Sequence, residues 1–588
     1  MGRVIELRKK LFRSAQLVTN SEGHMDGGAK RESLDSSAQS KNPRTLRNFM
    51  HGNRETSGVS EPATATDRRE KAECRTTRMH APEESDRGVV PQNRPNKGCP
   101  QDPAEGGEGR PRVKENASPT HTHPAQNGKR VSQGLAGVRQ AARQRKKEKF
   151  TTLLHHLTEA LLCDSFYGLK REAATGVDGV TWKEYETGLA ERLRDLHSRV
   201  HRGAYRAQPS RRVYIPKADG RQRPIGIAAL EDKIVQRAAV TILNRIYEED
   251  FLGFSYGFRP GRSQHDALDA LTVGIERKRV NWVLDADIRG FFDNLDHAWL
   301  LQFIQHRVTD PRILRLIQKW LKAGVSEEGN WSETKVGTPQ GAVISPLLAN
   351  IYLHYVLDQW VEAWRKKVAR GDVVIVRYAD DFVMGFQERA EAERFLEELR
   401  ERLRKFGLEL HPDKTRLIAF GRKPENDWKW KGGGKPGTFD FLGFTHSCGR
   451  NRKGYFHVRR QTAGKRMRAK LQAIKQQLRR RMHAPVAATG KWLRAVVQGY
   501  FNYHAVPGNS RRMRAFRDGV KRLWWQALRR RGQRRPWTWE RAVPLLSRWL
   551  PSPRILHPYP RVRFAAKHPR QEPYAGNPLV RICAGGVG

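Results

Sequence analysis

Two apolar runs on either side of a carboxylate pair constrain the fold of this chain more than any other feature. Residues 372–378 (DVVIVRY) and 381–386 (DFVMGF) are dense in β-branched and aromatic side chains, which is typical of strands. Asp380 and Asp381 fall at the turn between them. Adjacent carboxylates repel each other unless a cation lies between them. The pattern therefore predicts two strands whose turn holds a cation.

A second stretch, NWVLDADIRGFFDNLDH at 281–297, contains further carboxylate side chains. With a strand period of two, Asp285 and Asp287 share one face while the opposite face is apolar. Three carboxylates that converge from two segments form the all-oxygen set that Mg²⁺ prefers. Two such ions about 3.5–4 Å apart can activate a hydroxyl and stabilise a leaving oxygen at phosphorus. From the residues alone, either Asp285 or Asp287 could be the third ligand.

The charge of the chain indicates a polyanionic partner. Its 588 residues contain 110 Lys and Arg against 62 Asp and Glu, a formal net charge of +48. Such a field attracts nucleic acid over long range. We find no apolar run of membrane-spanning length and no signal peptide, so we expect a cytoplasmic protein without membrane contact. The five cysteines form no CxxC pair, which argues against a disulfide framework or a zinc ribbon.

Composition divides the chain into four parts. Residues 1–135 are polar, basic and without apolar periodicity, so we expect a disordered tail. Residues 136–445 alternate strand-like and helical runs, which predicts an α+β domain. Residues 446–530 contain three basic amphipathic stretches, which predict a helical domain. Residues 531–588 are rich in Pro and Arg and predict an irregular extension.

Cations beside the helical patterns are candidate RNA contacts. We predict one helix over 139–162, whose apolar stripe packs inward while Lys146 and Lys147 face a phosphate backbone. The amphipathic stretches after residue 460 also have basic outer faces. The candidates there are Lys465, Arg466, Lys470, Arg479, Arg480, Arg512 and Lys521.

Five ordered blocks carry a resemblance to a known family: IPKADGRQRPIGI, DIRGFFDNLDH, GTPQGAVISPLLANIYLH, YADD and FLGF. The chain resembles group II intron-encoded reverse transcriptases, also called maturases, over about 145–525. The resemblance implies a right-hand polymerase, with fingers and an antiparallel palm sheet followed by an α-helical thumb. It also implies splicing assistance and retrohoming with intron RNA, an RNA template with a DNA primer, dNTPs and target DNA. Two Mg²⁺ ions, with Mn²⁺ as a possible substitute, are the implied cofactors.

The resemblance also assigns roles to single residues. Asp287, Asp380 and Asp381 match the metal ligands, with Asp285 as the runner-up. Lys414 is similar to the lysine that protonates the departing pyrophosphate. Residues that match the nucleotide site are Lys217, Arg223, Phe292, Gln340 and Tyr378, although Phe291 or Phe292 belongs to the core. The turn that grips the primer corresponds to Phe441, Leu442 and Gly443.

Many family members end in a Cys- and His-containing HNH nuclease module, and only Cys583 follows residue 525 here. We therefore expect no nuclease module. Two alternatives stay open at this point. One is a reverse transcriptase of another system, such as a retron, diversity-generating, CRISPR-associated or defence enzyme. The other is an RNA-binding splicing chaperone without polymerase activity.

Overall fold

A computed structural model describes residues 125–567, apart from 217–221, 328, 334–335, 339, 433 and 532–537. All of these residues belong to one compact unit. Most of the predicted tail at 1–135 lies outside the described residues. Its last part differs from the prediction, because the first helix, α1 (Ala125–Gln144), already begins at residue 125. This helix buries Leu135, Val138 and Ala142, which share one face.

The single helix predicted over 139–162 is wrong. Helix α1 ends at Gln144, a short 3₁₀ turn occupies Leu154–His156, and helix α2 covers Glu159–Tyr167. The break has a distant cause: the Asp310 carboxylate accepts hydrogen bonds from the backbone N–H groups of Leu153 and Leu154, at 2.7 and 3.0 Å. These two N–H groups therefore donate to a side chain and not to the backbone carbonyl oxygens of a continuous α-helix. Lys146 and Lys147 lie exposed just after the end of α1.

The mixed α and β composition is confirmed. The strands are β1 (Ser210–Pro216), β2 (Gln222–Ile227), β3 (Trp282–Ala286), β4 (Val325–Glu327), β5 (Asn330–Ser332), β6 (Val373–Tyr378), β7 (Asp381–Phe386), β8 (Arg416–Ala419), β9 (Thr438–Phe441), β10 (Phe444–Arg450) and β11 (Phe456–Thr462). The helices up to the second core are α3 (Trp182–Glu186), α4 (Leu189–His201), α5 (Leu230–Asp250), α6 (Gln264–Arg277), α7 (His297–Gln305), α8 (Pro311–Lys322), α9 (Ser345–Leu353), α10 (Gln359–Lys367), α11 (Arg389–Arg404) and α12 (Arg422–Lys431). A π-helical turn, His354–Asp358, joins α9 to α10.

These strands form three sheets. The outer sheet has the order β2-β1-β4-β5, and the central sheet has the order β6-β7-β3-β8. The C-terminal sheet has the order β11-β10-β9. Every pair in the central sheet is antiparallel. One large hydrophobic core includes side chains of the central and C-terminal sheets, and helices α5 and α6 contribute many of its fully buried side chains.

A second hydrophobic core is helical. It contains α13 (Gly464–Arg480), α14 (Val486–His504), α15 (Ser510–Arg529) and α16 (Trp539–Trp549). Apolar side chains at helical spacing, such as Met513, Phe516, Val520 and Trp524, are fully buried there. The helical domain was predicted to begin at residue 446, but its first helix begins at Gly464. Strands β10 and β11 occupy Phe444–Arg450 and Phe456–Thr462 before it.

The prediction of an irregular C-terminal extension is wrong for two segments, which are helical. Helix α16 buries Ala542 and Leu546 in the second core, and helix α17 covers Pro560–Lys567. Helix α17 lies against α6, and ion pairs join the two helices. The pairs are Lys567 with Asp266, Arg563 with Asp269 and Arg561 with Glu276. None of the described helices combines the length and apolar character that a membrane-spanning segment needs.

Candidate active site

The predicted carboxylate pair lies at a tight hairpin between β6 and β7. Tyr378 pairs with Asp381, which leaves Ala379 and Asp380 as a two-residue turn. Ala379 has a φ of 57°, a value that favours glycine at the first central position of such turns. An alanine in this conformation is strained and needs support from its surroundings.

Arg377 supplies part of that support from inside the protein. Its side chain is fully buried, and its Nη1 donates a 2.8 Å hydrogen bond to the carbonyl oxygen of Ala379. Two further donations go to the carboxylate of Asp358, at 2.7 and 2.5 Å. The remaining partners are Asn350 Oδ1 at 3.0 Å and Ser255 Oγ at 2.8 Å. The buried Arg377 guanidinium, whose charge is compensated by Asp358, therefore holds the turn from the protein interior.

A second segment packs directly against the turn. A Cβ atom on Gly257 would lie 2.2 Å from the backbone nitrogen of Ala379, so only glycine fits. Asn350 Nδ2 donates to the carbonyl oxygen of Gly257 at 2.8 Å. The next residue, Phe258, has a φ of 56°, and its ring centroid lies 6.4 Å from that of Tyr378. Residues 257–258 thus brace the hairpin from outside the central sheet.

The second acidic segment is the neighbour of this hairpin. Strand β3 pairs with β7 so that Ala286 lies opposite Phe382, and Asp287 and Asp381 are the next residues beyond this pair. Burial is the main cause that raises the pKa of Asp380, and the charge of Asp287 adds to it. Asp381 is exposed to solvent, but the surrounding protein still removes part of its hydration. This loss, with the charges of Asp380 and Asp287, raises the pKa of Asp381 to about 7.

The two candidates for the third carboxylate differ in their surroundings. The charge of Asp287 raises the pKa of both hairpin carboxyls. The charge of Asp285 raises only the pKa of Asp381, and it does so less than Asp380 or Asp287. Asp285 Oδ2 instead accepts a hydrogen bond from Arg416 at 2.9 Å. The electrostatics therefore favour Asp287 as the partner of the hairpin.

Lys414 lies beside this carboxylate. Its Nζ is 2.6 Å from Asp287 Oδ2, and the N–H of His411 donates to the Asp287 carbonyl oxygen at 2.7 Å. Among the described residues, no three acidic, imidazole or thiol side chains are gathered closely enough to hold a metal ion. The lysine supplies a positive charge beside Asp287. The donor set of the three acids, all carboxylate oxygen, suits Mg²⁺.

Two candidate nucleotide residues, Arg223 and Gln340, lie close to acidic side chains. Arg223, on β2, is close enough to Asp380 to oppose the rise in its pKa. The N–H of Gly226 donates to the carbonyl oxygen of Gln340 at 2.7 Å, and Gln340 Nε2 donates to Asp293 Oδ1 at 3.2 Å. The Gln340 turn therefore links β2 to the segment after β3. Lys217 lies outside the described residues.

The two adjacent phenylalanines have different environments. Phe291 is buried and its ring lies 6.3 Å from that of Tyr352, edge to face, so it belongs to the core. Phe292 is only partly buried. Of the two, Phe292 is the one whose side chain remains accessible to a ligand.

A second tight hairpin holds the predicted primer turn. Phe441 pairs with Phe444, so Leu442 and Gly443 form a two-residue turn with φ values of 47° and 82°. Two positive φ values are typical of a type I′ turn. Tyr503 donates its hydroxyl to the carbonyl oxygen of Leu442 at 2.6 Å. Helix α14 therefore fixes this turn.

Backbone strain is concentrated around the site. Among the described residues, three that are not glycine have positive φ: Phe258, Ala379 and Leu442. Each belongs to one of the segments just described. Sequence reasoning missed Phe258 and the role of Arg377. An available signal for Arg377 was a charged residue inside an otherwise apolar strand, directly before the acidic turn.

The cations expected to contact RNA lie at the protein surface, exposed or partly exposed. None of them lies within ion-pair distance of a carboxylate in the described part of the chain. These residues are Lys146, Lys147, Lys465, Arg466, Lys470, Arg479, Arg480, Arg512 and Lys521.

Comparisons with known proteins identify the family of this chain. The family model described as reverse transcriptase (RNA-dependent DNA polymerase) matches residues 215–446. Protein YkfC of Escherichia coli K12 is 38% identical over 274 residues, which cover 41% of this chain and 71% of YkfC. The group II intron-encoded protein LtrA of Lactococcus lactis is 37% identical over 225 residues, which cover 38% of this chain and 37% of LtrA.

An uncharacterized 91 kDa protein in a cob intron of Schizosaccharomyces pombe is 42% identical over 154 residues, which cover 26% of this chain and 19% of that protein. The chain thus spans most of one relative and about a third or less of the other two. The predicted resemblance is confirmed. The chain belongs to the family of group II intron-encoded reverse transcriptases and maturases, and its matched domain is an RNA-directed DNA polymerase domain.

Proposed function

We propose that this protein copies RNA into DNA and binds a group II intron RNA, assisting its splicing and its insertion into target DNA. The observation that carries the catalytic part is the position of Asp287 beside the hairpin of Asp380 and Asp381, which the pairing of β3 with β7 sets. Carboxylates brought together in this way, with the cation Arg223 close to Asp380, are typical of a catalytic site. The proposed binding, splicing and insertion of intron RNA rests on the family to which the chain belongs.

Asp287, Asp380 and Asp381 would hold the catalytic cations, Mg²⁺ or Mn²⁺. When bound there, a divalent pair supplies the charge that activates the primer 3′-hydroxyl and stabilises the leaving oxygen. The strained turn at Ala379 orients Asp380 and Asp381, and Arg377 keeps that orientation by its bond to the Ala379 carbonyl oxygen. Preorganised acids need no rearrangement during the reaction.

The surrounding residues would handle the nucleotide. Lys217 and Arg223 would bind the triphosphate of the incoming dNTP, since ammonium and guanidinium groups are strong phosphate partners. Phe292 would pack under the sugar and exclude a 2′-hydroxyl, while Gln340 lines the pocket. Lys414 Nζ would give its proton to the leaving pyrophosphate after it separates from Asp287.

The remaining residues would hold the nucleic acid. Tyr378 and the turn at 441–443 would contact the DNA primer, opposite its RNA template. The basic faces of α13 and α15 would bind phosphates of the intron RNA, and such contacts make binding fall steeply with salt. These assignments place the protein in an intron ribonucleoprotein of the cytoplasm.

Primer extension combined with RNA recovery tests the proposal. The full chain and an Asp380→Asn, Asp381→Asn variant are purified from cells that carry the native locus, and the retained RNA is sequenced. We expect extension of a DNA primer on an RNA template by the unchanged protein, and a loss of at least ~100-fold in the variant. Both proteins should retain RNA with intron and spliced-exon junctions. Asp195→Asn, an exposed acid on α4, is the matched control.

Different failures point to different errors. Extension without intron RNA would indicate a reverse transcriptase of another system. Intron RNA without extension by the unchanged protein would indicate a splicing chaperone. Full activity of the double variant would refute the assigned acids.

A further inference from the structure

A basic cleft with an exposed tryptophan lies at the end of the outer sheet that is away from the proposed nucleotide site. Its volume is about 610 Å³, and it is formed by the loop before β1, helix α8 and strand β5. Four cations line it, and no carboxylate does so among the described residues. The cations are Arg206, Arg315, Lys319 and Lys322.

The positive charge of this cleft is uncompensated. Arg315, Lys319 and Lys322 follow one face of α8, at spacings of four and three residues. Lys319 Nζ donates to the carbonyl oxygens of Gly203 and Tyr205, at 2.9 and 2.5 Å, so its charge has no acidic partner. None of the four cations forms an ion pair in the part of the chain that the structure describes. Like charges held together repel each other, which an anionic ligand would relieve.

The aromatic wall of the cleft is fixed in place. Trp331 is 59% exposed, which is unusual for so large an apolar side chain. Its Nε1 donates to the carbonyl oxygen of Ala323 at 3.1 Å. The ring also lies against Gly324, where a Cβ atom would approach Trp331 Nε1 to 2.4 Å. The ring is therefore oriented before any ligand arrives, as a stacking surface should be.

The cleft is separate from the polymerase site. Trp331 lies on β5 and Arg223 on β2, at opposite edges of the four-stranded outer sheet. Three strand spacings of about 4.8 Å put these edges roughly 14 Å apart. A nucleotide bound at Arg223 would therefore not fill the cleft.

Resting on the proposed function, we propose that this cleft binds a single-stranded segment of RNA, with one base stacked on Trp331 and its phosphates on the α8 cations. An exposed aromatic ring beside unpaired cations is the combination that recognises unpaired nucleotides. A base in a duplex is already stacked and would not fit.

Photo-cross-linking gives a local test despite the many other cations of the chain. The full protein is irradiated with a short single-stranded RNA that contains 4-thiouridine, and the linked peptides are identified by mass spectrometry. We expect an adduct on the peptide with Trp331. It should fall at least ~5-fold in Trp331→Ala, the lower limit for one stacked base, and persist in Trp331→Phe.

A charge variant supplies the second arm. Arg315→Gln with Lys322→Gln should also weaken the adduct, whereas Arg404→Gln with Lys405→Gln, two exposed cations near the end of α11, should not. All variants should extend a short primer on a short template at the unchanged rate, which shows that they are folded. If the unchanged protein fails to extend the primer, the proposed function fails while the cross-link still decides this inference.

Three results would overturn it. One is the absence of any adduct at Trp331 while other peptides are linked. Another is an equal adduct with duplex RNA. Equal linking to single-stranded DNA would refute RNA as the ligand.

Discussion

The buried pair of Arg377 and Asp358 leads to a quantitative prediction. Both side chains are 0% exposed, and the guanidinium makes two hydrogen bonds to the carboxylate. Asp358→Asn would leave the Arg377 charge buried without an anion. Breaking a fully buried pair in this way costs about 3–5 kcal/mol. The same change in an exposed pair, Glu393→Gln opposite Arg389, should cost no more than about 0.5 kcal/mol, because those side chains are 51% and 64% exposed.

A double variant separates stability from positioning. Arg377→Met with Asp358→Leu removes both charges, so much of the lost stability should return. The carbonyl oxygen of Ala379 would still lack its donor, because methionine cannot replace the 2.8 Å bond. We therefore expect primer extension to remain reduced by roughly ten- to a hundred-fold, as small displacements of catalytic groups cost that much.

Urea unfolding of the three variants measures the first effect, and single-turnover primer extension measures the second. Equal unfolding free energies for Asp358→Asn and Glu393→Gln would refute the energetic reasoning. Full activity of the double variant would show that Arg377 stabilises the fold without orienting the turn.

Three further changes test other contacts. Gly257→Ala would place a Cβ atom 2.2 Å from the backbone of the acidic turn, so primer extension should fall more than ~10-fold, whereas Gly137→Ala, with open space around it, should have no effect. Asp269→Asn leaves two arginines without their shared carboxylate, so trypsin should cut the segment 551–567 faster in a limited digest. Lys414→Met frees Asp287 from its 2.6 Å ion pair. A Mg²⁺ titration of primer extension should then show a lower half-saturating concentration together with a lower maximal rate.

The parts of the site that sequence could predict are those encoded locally. The apolar runs on either side of Asp380 and Asp381 predict the hairpin, and a period of two places Asp285 and Asp287 on one face. The choice between those two acids needed the resemblance, and in the structure Asp287 is the acid whose charge raises the pKa of both hairpin carboxyls.

The features that sequence could not predict depend on distant partners. The break after α1 is held by a carboxylate 157 positions away, and Arg377 reaches Ser255 across 122 positions. Local periodicity carries no information about such contacts. Helix α17 was missed for a similar reason, because its Pro- and Arg-rich sequence is helical where it lies against the acids of α6.

The docking of α17 onto α6 has a consequence for the order of events during synthesis. The paired residues Glu276 and Arg561 are 285 positions apart, and Asp266 and Lys567 are 301 positions apart. At about 5–20 residues per second, a ribosome needs roughly 15–60 s to make the chain between them. Throughout that interval, the three acids of α6 lack their cationic partners on α17, although Asp269 and Glu276 can pair with Arg460 and His457 as soon as β11 has been made. The enzyme core therefore reaches its final charge balance only when translation is nearly complete, and a chain that stops before residue 560 never reaches it.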